Sequence, residues 1–229
     1  MADVILRPAV PSDADDVTAV HLASRAAAAM PPGVHSDTEV REWLGGRLER
    51  DEVWEAETGA GVAAYARMTE TWLDDLYVAP DHAGQGLGSA LLDLVKAQRP
   101  GGFCLWVFET NEPARGFYTH HGLVELERTD GAGNEEKQPD VRMAWPGTDP
   151  LAFYRGLIDD VDAELGDLLN RRIALTHAVQ PHKPVAERDP DREREIAEAM
   201  ALRAPVLGAE RLQRIVHAVI TESLDAARH

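Results

Sequence analysis

The chain is poor in cysteine and has no long apolar run. Its single cysteine, Cys104, cannot form an internal disulfide, which favours a reducing compartment. No apolar run approaches the ~18 residues that a membrane-spanning helix needs. The first residues, MADVILRPAV, lack the basic stretch and apolar core of a secretory signal. We therefore expect a cytoplasmic globular protein with no membrane partner.

Basic residues are also scarce. The 229 residues carry 40 acids against 23 Lys and Arg, which gives a net charge of −17. The first 150 residues hold 26 of the acids and 12 of the bases. Because such a surface repels phosphate backbones, no nucleic-acid partner is expected. The charge favours solubility, and in the first part of the chain it hints at a cationic substrate.

Short β-like runs alternate with helical patterns over the first part of the chain. Apolar and β-branched runs predict strands near residues 4–6, 53–57, 61–68, 72–78, 103–108, 123–127 and 141–145. Helical periodicity predicts helices near residues 17–26, 40–48, 89–96 and 112–120. Strands mixed with helices at this spacing are typical of an α+β sheet domain, which we assign to residues 1–147.

The pattern changes after this domain. Asp149 and Pro150 are typical of a helix N-cap and first helical residue. Apolar residues then recur at steps of three and four up to Ala178, which predicts a helix about 45 Å long. Two shorter helices are expected near 191–202 and 210–227. Because so long a rod cannot bury its apolar stripe against the rest of its own chain, we expect residues 148–229 to be an all-α three-helix domain that forms an intertwined dimer.

A glycine-rich connection lies between a strand and a helix in the first domain. It reads Gly84-Gln85-Gly86-Leu87-Gly88-Ser89. Glycines there let backbone amides approach a pyrophosphate at the helix N-terminus, although such connections also occur for structural reasons. A Rossmann site is excluded, because the connection comes late in the domain.

Two stretches around this connection resemble motifs of the GNAT acetyltransferases. One is Leu76-Tyr77-Val78-Ala79-Pro80 with Gly86-Leu87-Gly88-Ser89-Ala90-Leu91-Leu92, and the other is Asn111-Glu112-Pro113-Ala114 with Phe117-Tyr118 and Gly122-Leu123. The resemblance implies an acetyl-CoA co-substrate. The strand residues implied to pair with its pantetheine arm are Leu76, Tyr77 and Val78. The residues whose amides are implied to hold its pyrophosphate are Gly84, Gln85, Gly86, Leu87, Gly88 and Ser89.

The same resemblance implies chemical roles. Asn111 would contact the co-substrate near its thiol, and Tyr118 would protonate the departing thiolate. The family usually has Arg or Gln where this chain has Ala83; Gln85 is a partial substitute, and we expect weaker CoA affinity.

Acetyl transfer to an amine also needs a base. The candidates are Glu70, Asp74 and Asp75, which are equally compatible with plain surface positions. We expect the pair His120-His121 to be a helix end that faces solvent, and we expect no metal site.

Three cations mark the second domain. Arg172 and Lys183 are 11 residues apart, which places them within about 20° on one helix face and about 16 Å apart along a regular helix. They could bracket a small dianion, although solvated charges are the usual case. Arg155 lies about 100° away at 100° per residue, so it could reach only the cluster of a partner in an antiparallel dimer.

The spaced polar residues resemble the all-helical chorismate mutases. They are Arg155-x-x-Ile158-Asp159-x-x-Asp162, Leu168-Leu169-x-x-Arg172, Lys183, Asp189-Pro190-x-Arg192-Glu193 and Ser223. The resemblance implies that Arg172 and the partner's Arg155 clamp two carboxylates and that Lys183 meets the ether oxygen. It implies further that Glu193 and the Asp189 backbone hold the ring hydroxyl, with Arg192 and Ser223 on the carboxylate side. A Claisen rearrangement needs such preorganised cations, and no cofactor is expected for it.

One residue departs from the mutase pattern. Ala227 stands where the family usually has Gln or Glu as a second donor to the ether oxygen. We therefore expect a weaker mutase, or one for an amino-substituted chorismate.

The leading hypothesis is a bifunctional enzyme, a chorismate mutase with an N-terminal acetyl-CoA-dependent N-acetyltransferase of unknown acceptor. In one alternative the first domain is an acyl-CoA-binding regulatory module. In another the helical part of an acetyltransferase only dimerises.

Overall fold

The computed structural model describes residues 4–182 and 189–226. The chain divides into two compact units, Met1–Tyr154 and Arg155–His229, and each is described by itself. Within the described residues, none of the helices combines the length and the apolar character needed to cross a bilayer.

Seven strands form the sheet of the N-terminal unit. The first four are antiparallel neighbours in chain order: β1 (Ile5–Pro8), β2 (Glu52–Thr58), β3 (Gly61–Met68) and β4 (Leu73–Val78). The other three pair in the order β5-β7-β6: β5 (Phe103–Phe108), β6 (Val124–Thr129) and β7 (Asp140–Trp145). The sequence predicted all seven strands. For β6 the expected range was 123–127, whereas the strand is Val124–Thr129.

Four helices cover this sheet: α1 (Ala14–Ala27), α2 (Asp37–Leu48), α3 (Leu87–Gln98) and α4 (Glu112–His120). One apolar cluster joins α3 and α4 to the sheet, with Leu91, Leu92 and Phe103 fully buried. A second joins α1 and α2 to β2 and β3, with Val17 and Leu44 fully buried. Helices on both faces therefore fix the positions of the strand ends.

The two halves of the sheet meet at β4 and β5. The residues just before and within these strands are joined by one parallel bridge, between Trp72 and Cys104, where the Cys104 amide donates to the Thr71 carbonyl at 2.9 Å. Beyond that bridge the two strands belong to separate ladders. Because ladder hydrogen bonds do not close this gap, the strand ends can line a cavity.

Three helices follow: α5 (Pro150–Val179), α6 (Pro190–Arg203) and α7 (Gly208–Ala226). The Asp149 side chain accepts a hydrogen bond from the Ala152 amide at 3.0 Å, as predicted for an N-cap. Helices α6 and α7 pack through Ala197, Leu212 and Val216. Helix α5 has 30 residues and no buried side chain, so the apolar stripe that the sequence predicted lies exposed.

Candidate functional sites

A cavity of about 580 Å³ opens between β4 and β5. Both strands contribute to its wall, from Leu73 to Tyr77 and from Leu105 to Phe108. The remaining residues come from α1, α4 and the segment around β6 and β7: Arg25, Met30, Asn111, Ala114, Tyr118, Thr129, Gly133, Asn134, Glu136 and Asp140. The gap in the sheet is therefore the site around which the predicted residues can be placed.

The glycine-rich loop presents open backbone at the start of α3. Gly84 and Gly86 have φ angles of 73° and 86°, and a Cβ atom on either would meet no heavy atom within 4 Å. No side chain caps the helix, and Ala90 is the amide that bonds back to the Gly86 carbonyl, at 3.0 Å. The first amides of an α-helix have no partner within it, so those of Leu87, Gly88 and Ser89 suit an anion.

Side chains of the loop have structural roles. The Leu87 side chain is buried, so only its amide can contact a ligand. A Cβ on Gly88 would lie 3.5 Å from both Phe117 and Val78, which shows how closely α3 approaches α4 and β4. The Gln85 amide nitrogen donates to the Asp81 carbonyl at 3.0 Å. This hydrogen bond braces the loop, and a role for Gln85 in place of the usual residue at Ala83 stays a prediction.

Asn111 and Tyr118 both line the cavity. The motif resemblance assigned both of them to the thiol end of the co-substrate. Asn111 is the N-cap of α4, and its side-chain oxygen accepts from the Ala114 amide at 3.3 Å. Tyr118 is 8% exposed, and burial raises the pKa of its phenol well above its ordinary value. At neutral pH this phenol keeps its proton and can act only as a donor acid.

The three candidate bases differ in their surroundings. Glu70 is exposed and does not line the cavity. Asp75 is buried and accepts a 2.5 Å hydrogen bond from Arg67, which also pairs with Asp51 at 2.7 Å. Asp74 lies 3.8 Å from Arg67, and burial is the main cause that raises its pKa. Asp74 is therefore the better proton acceptor of the three.

Five polar residues of the cavity were missed by sequence reasoning. Arg25 pairs with Glu136 at 2.9 Å and so links α1 to the connection between β6 and β7. Asp140 accepts hydrogen bonds from Thr129 and, at 2.9 Å, from Asn134. These residues are far apart along the chain and belong to no motif, so no local signal could have found them.

The two adjacent histidines have different environments. His120 is exposed, as expected. His121 is partly buried, and its ring contacts the Phe117 carbonyl at 2.8 Å and the Ser89 hydroxyl at 3.0 Å. The prediction that both face solvent is therefore wrong for His121, because the end of α4 packs against the first turn of α3.

In the helical unit, two predicted residues meet at one carbonyl. The Ser223 hydroxyl donates to the Val219 carbonyl at 2.6 Å, and an Arg172 nitrogen lies 3.5 Å from the same oxygen. Ser223 is buried and Arg172 is half-buried. Helices α5 and α7 are thereby held together at a point where a guanidinium and a hydroxyl are adjacent.

The predicted residues of α6 occupy its first turn. The Asp189 side chain caps the helix by accepting from the amides of Asp191 and Arg192 at 3.1 and 3.0 Å. The Arg192 side chain is exposed and pairs with Glu195 at 2.9 Å. The Glu193 carboxylate lies 3.6 Å from the His217 ring on α7.

Arg155 is not brought to the other residues. It is exposed on α5, 17 residues before Arg172, which is about 25 Å along the helix. Lys183 and Ala227 lie outside the described residues. In one copy of the chain, the described residues of the mutase pattern therefore lie at two places. Arg172 is beside Ser223, and the others are at the start of α6.

Known families match both units. A model of the acetyltransferase (GNAT) domain matches residues 49–125, and a model of chorismate mutase type II matches residues 154–228. The chain contains a GNAT acetyltransferase domain and a type II chorismate mutase domain, as the two resemblances implied. Together the matches indicate an enzyme with both kinds of domain.

Individual relatives agree for the first domain. Peptidyl-lysine N-acetyltransferase YiaC of Escherichia coli (strain K12) is 34% identical over 95 residues, 41% of this chain and 62% of that protein. The match thus spans less than two thirds of that relative's length.

Solved structures show the same fold. Apo-form YjaB from Escherichia coli has a TM-score of 0.53 and 21% identity, over 64% of this chain and 99% of that one. The structure of yncA from Salmonella typhimurium with its cofactor acetyl-CoA has a TM-score of 0.53 and 17% identity, over 65% and 96%. The GNAT-like α+β fold predicted for the first domain is confirmed.

Proposed function

We propose that the chain is a bifunctional enzyme, an acetyl-CoA-dependent N-acetyltransferase and a chorismate mutase. Two observations support the first activity: the cavity between β4 and β5 with Tyr118 in its wall, and the open glycine loop between β4 and α3. The observation that supports the second is the meeting of Arg172 and Ser223 at the Val219 carbonyl.

The loop residues fit a pyrophosphate. Positive φ angles at Gly84 and Gly86 leave backbone uncovered, and the first amides of α3 offer donors at the positive end of the helix. Leu76, Tyr77 and Val78 offer strand edge to a pantetheine arm, since β5 does not pair with them. Acetyl-CoA, when bound, supplies the acetyl group as a thioester.

Proton transfers fall to two residues of the cavity. Asp74 accepts a proton from the ammonium form of the acceptor, because burial makes it a stronger base than an ordinary aspartate. Tyr118 donates its phenolic proton to the departing thiolate. Asp75 pairs with Arg67 at 2.5 Å and holds that arginine in place.

The acceptor is a cationic amine. Four carboxylates line the cavity, those of Asp74, Asp75, Glu136 and Asp140, whereas Arg25 is the one cation among the described residues of its wall. The relative from Escherichia coli is a peptidyl-lysine N-acetyltransferase, and a lysine side chain belongs to this class of amine.

This proposal is tested with acetyl-CoA and three amines of one chain length, following thiol release. 1,5-Diaminopentane, 5-aminopentan-1-ol and 5-aminopentanoate carry a positive, neutral and negative far end. Turnover should fall in that order, and Glu136→Gln should flatten the series. No turnover with any amine would contradict the acetyltransferase, and equal rates would contradict the cationic acceptor.

The mutase part acts by holding its substrate. Arg172 and the partner's Arg155 clamp the two carboxylates of chorismate, and Lys183 meets the negative charge that develops on the ether oxygen. Glu193 and the Asp189 backbone hold the ring hydroxyl. Because Ala227 supplies no second donor, stabilisation of the transition state is lower by about 3 kcal/mol than with such a donor.

A homodimer completes this site. Helix α5 exposes its apolar stripe, with Leu165 50% and Leu175 65% exposed, and Arg155 lies too far from Arg172 to act in the same copy. A second α5 would cover the stripe and bring Arg155 to the partner's Arg172.

Proton NMR of chorismate incubated with the purified protein tests the mutase. Prephenate should form with the native protein and not with Arg172→Ala. Chorismate left untouched by the native protein would contradict the proposal, and an amino-substituted chorismate would then be the next substrate to offer.

A further inference from the structure

The His121 ring joins the end of α4 to the first turn of α3. Its Nδ1 lies 2.8 Å from the Phe117 carbonyl oxygen, and its Nε2 lies 3.0 Å from Ser89 Oγ. Ser89 is the third residue of α3, and its amide is among those proposed to hold the pyrophosphate. The ring is therefore one hydrogen bond away from the proposed acyl-CoA site.

The first of these contacts fixes the proton on the ring. A carbonyl oxygen only accepts hydrogen bonds, so Nδ1 carries a proton. In the neutral ring Nε2 then has a lone pair, and the Ser89 hydroxyl donates to it. The Ser89 proton is thereby directed at His121, and the hydroxyl cannot donate to an anion.

Protonation of the ring reverses the second contact. Nε2 then carries a hydrogen and donates to Ser89 Oγ, which leaves the hydroxyl proton free to donate elsewhere. Imidazole rings titrate between pH 5 and 8, and a pyrophosphate favours both a nearby cation and an added donor.

We propose that His121 is a proton-linked positioning residue of the acyl-CoA site, which takes up a proton when pyrophosphate binds and so turns the Ser89 hydroxyl into a donor. The inference rests on the proposed acetyltransferase function. Acyl-CoA affinity is then highest at low pH and decreases as pH rises through the imidazole range.

The other groups around the ring define the controls. From α3, Lys96 donates to the His121 backbone carbonyl at 2.6 Å. From α4, the Phe117 ring packs 4.3 Å and the His120 ring 5.3 Å from the His121 ring, centre to centre. Because His120 is an exposed imidazole next to His121 in the sequence, it provides the matched control variant.

The test is calorimetric titration with 3′-dephospho-CoA, a probe that keeps the pyrophosphate but lacks the phosphate monoester, which itself titrates near about pH 6. The titration is run at about pH 6.5 in two buffers that differ in their heat of ionisation. The difference between the two binding heats measures the number of protons taken up. We expect uptake of a fraction of one proton by the native protein. We also expect its Kd to rise about threefold to tenfold from mildly acidic to mildly alkaline pH, the change that one hydrogen bond contributes.

Three variants assign the proton. His121→Gln should bind without proton uptake and with a Kd independent of pH, Ser89→Ala should take up clearly less than the native protein, and His120→Asn should behave as the native protein does. Since His121→Gln could loosen the contact between α3 and α4, Ser89→Ala decides the matter when its unfolding midpoint is native.

The opposite results are equally clear. Binding without uptake by the native protein, undiminished uptake by Ser89→Ala, or uptake lost by His120→Asn would each overturn the inference and leave the acetyltransferase proposal intact. No binding of acetyl-CoA or 3′-dephospho-CoA at any pH would overturn both.

Discussion

The two units of the chain bury their apolar side chains to very different extents. The N-terminal unit packs helices on both faces of its sheet and buries residues such as Leu44, Leu91 and Phe103. Helix α5 of the second region buries none of its 30 residues. Large exposed apolar surfaces mark association sites. The difference agrees with the two proposals, in which the acetyltransferase site is formed within one copy and the mutase site needs a second copy.

The polar residues of the two regions differ in the same way. In the N-terminal unit Asp74, Asn111 and Tyr118 come from three elements and line one cavity. In the helical unit Arg172 and Ser223 meet at the Val219 carbonyl, whereas Arg155 is exposed about 25 Å away along α5. Variants that separate the two activities therefore test the comparison directly.

The largest effect is expected for Asp74→Asn. Loss of the base should lower kcat for acetyl transfer to 1,5-diaminopentane by roughly 10²- to 10⁴-fold. Chorismate turnover should be unchanged, since that site lies in the other unit. In the native protein the rate should fall as pH decreases through the raised pKa of Asp74, because the base must be ionised.

Glu70→Gln is the matched control for this variant, since Glu70 is exposed and lies outside the cavity. Thiol release with either variant is measured at saturating acetyl-CoA. A native rate in Asp74→Asn, or an equal loss in Glu70→Gln, would remove Asp74 from the proposed mechanism.

Arg172→Ala should give the reverse pattern. Removing one carboxylate clamp should lower kcat/KM for chorismate by about 10²- to 10³-fold and leave acetyl transfer unchanged. The neighbouring Arg171 is exposed and provides the control Arg171→Ala, which should keep native rates in both assays. Equal losses in the two variants would show a general charge effect and not a clamp.

The third prediction concerns the second copy. Arg155→Ala and Arg172→Ala should each be inactive as mutases, yet a mixture refolded together should regain about a quarter of native activity. A mixed dimer contains one site with both arginines intact, and random pairing makes half of the dimers mixed.

Two preparations of Arg172→Ala refolded together are the control, and they should regain nothing. Failure of the mixture to recover, with both variants folded, would mean that Arg155 does not act across a dimer. The mutase site would then not be shared between two copies, and the proposed contrast with the acetyltransferase site would be wrong.

Local patterns predicted much of the fold. Strand alternation, helix periodicity and the cap at Asp149 depend on neighbours along the chain, so each could be predicted from the sequence. The glycine loop and Tyr118 were found through motif resemblance. What could not be predicted depends on contacts between distant elements. Arg67 distinguishes Asp75 from Asp74, and nothing in the sequence places it beside them.

The same reason explains two other outcomes. His121 was expected in solvent because helix ends usually are exposed, and only the packing of α4 on α3 brings it to Ser89. Glu136, in the connection between β6 and β7, and Asp140, the first residue of β7, line the cavity but belong to no motif. Long-range packing therefore determines the acceptor side of the cavity, while local sequence determines the loop side.

The smallest effect is expected from a buried carboxyl on β2. Glu55 is fully buried, and Arg7 lies 2.5 Å from its Oε1. Burial nevertheless raises the pKa of Glu55 from 4.5 to about 7. Since the folded state then binds more protons than the unfolded state, the free energy of unfolding should fall as pH rises between these values, by about 1–3 kcal/mol.

Glu55→Gln should remove this slope, because the amide does not titrate, and should leave the variant more stable than the native protein at mildly alkaline pH. Glu57→Gln is the matched control on the same strand; its side chain is 40% exposed and also contacts Arg7, so the slope should persist. All five tryptophans lie in the N-terminal unit, so urea unfolding followed by their fluorescence reports on that unit alone. If the free energy of unfolding of Glu55→Gln still decreased with pH, another group would bind the proton. The pH dependence of stability would then not come from the buried carboxyl of Glu55.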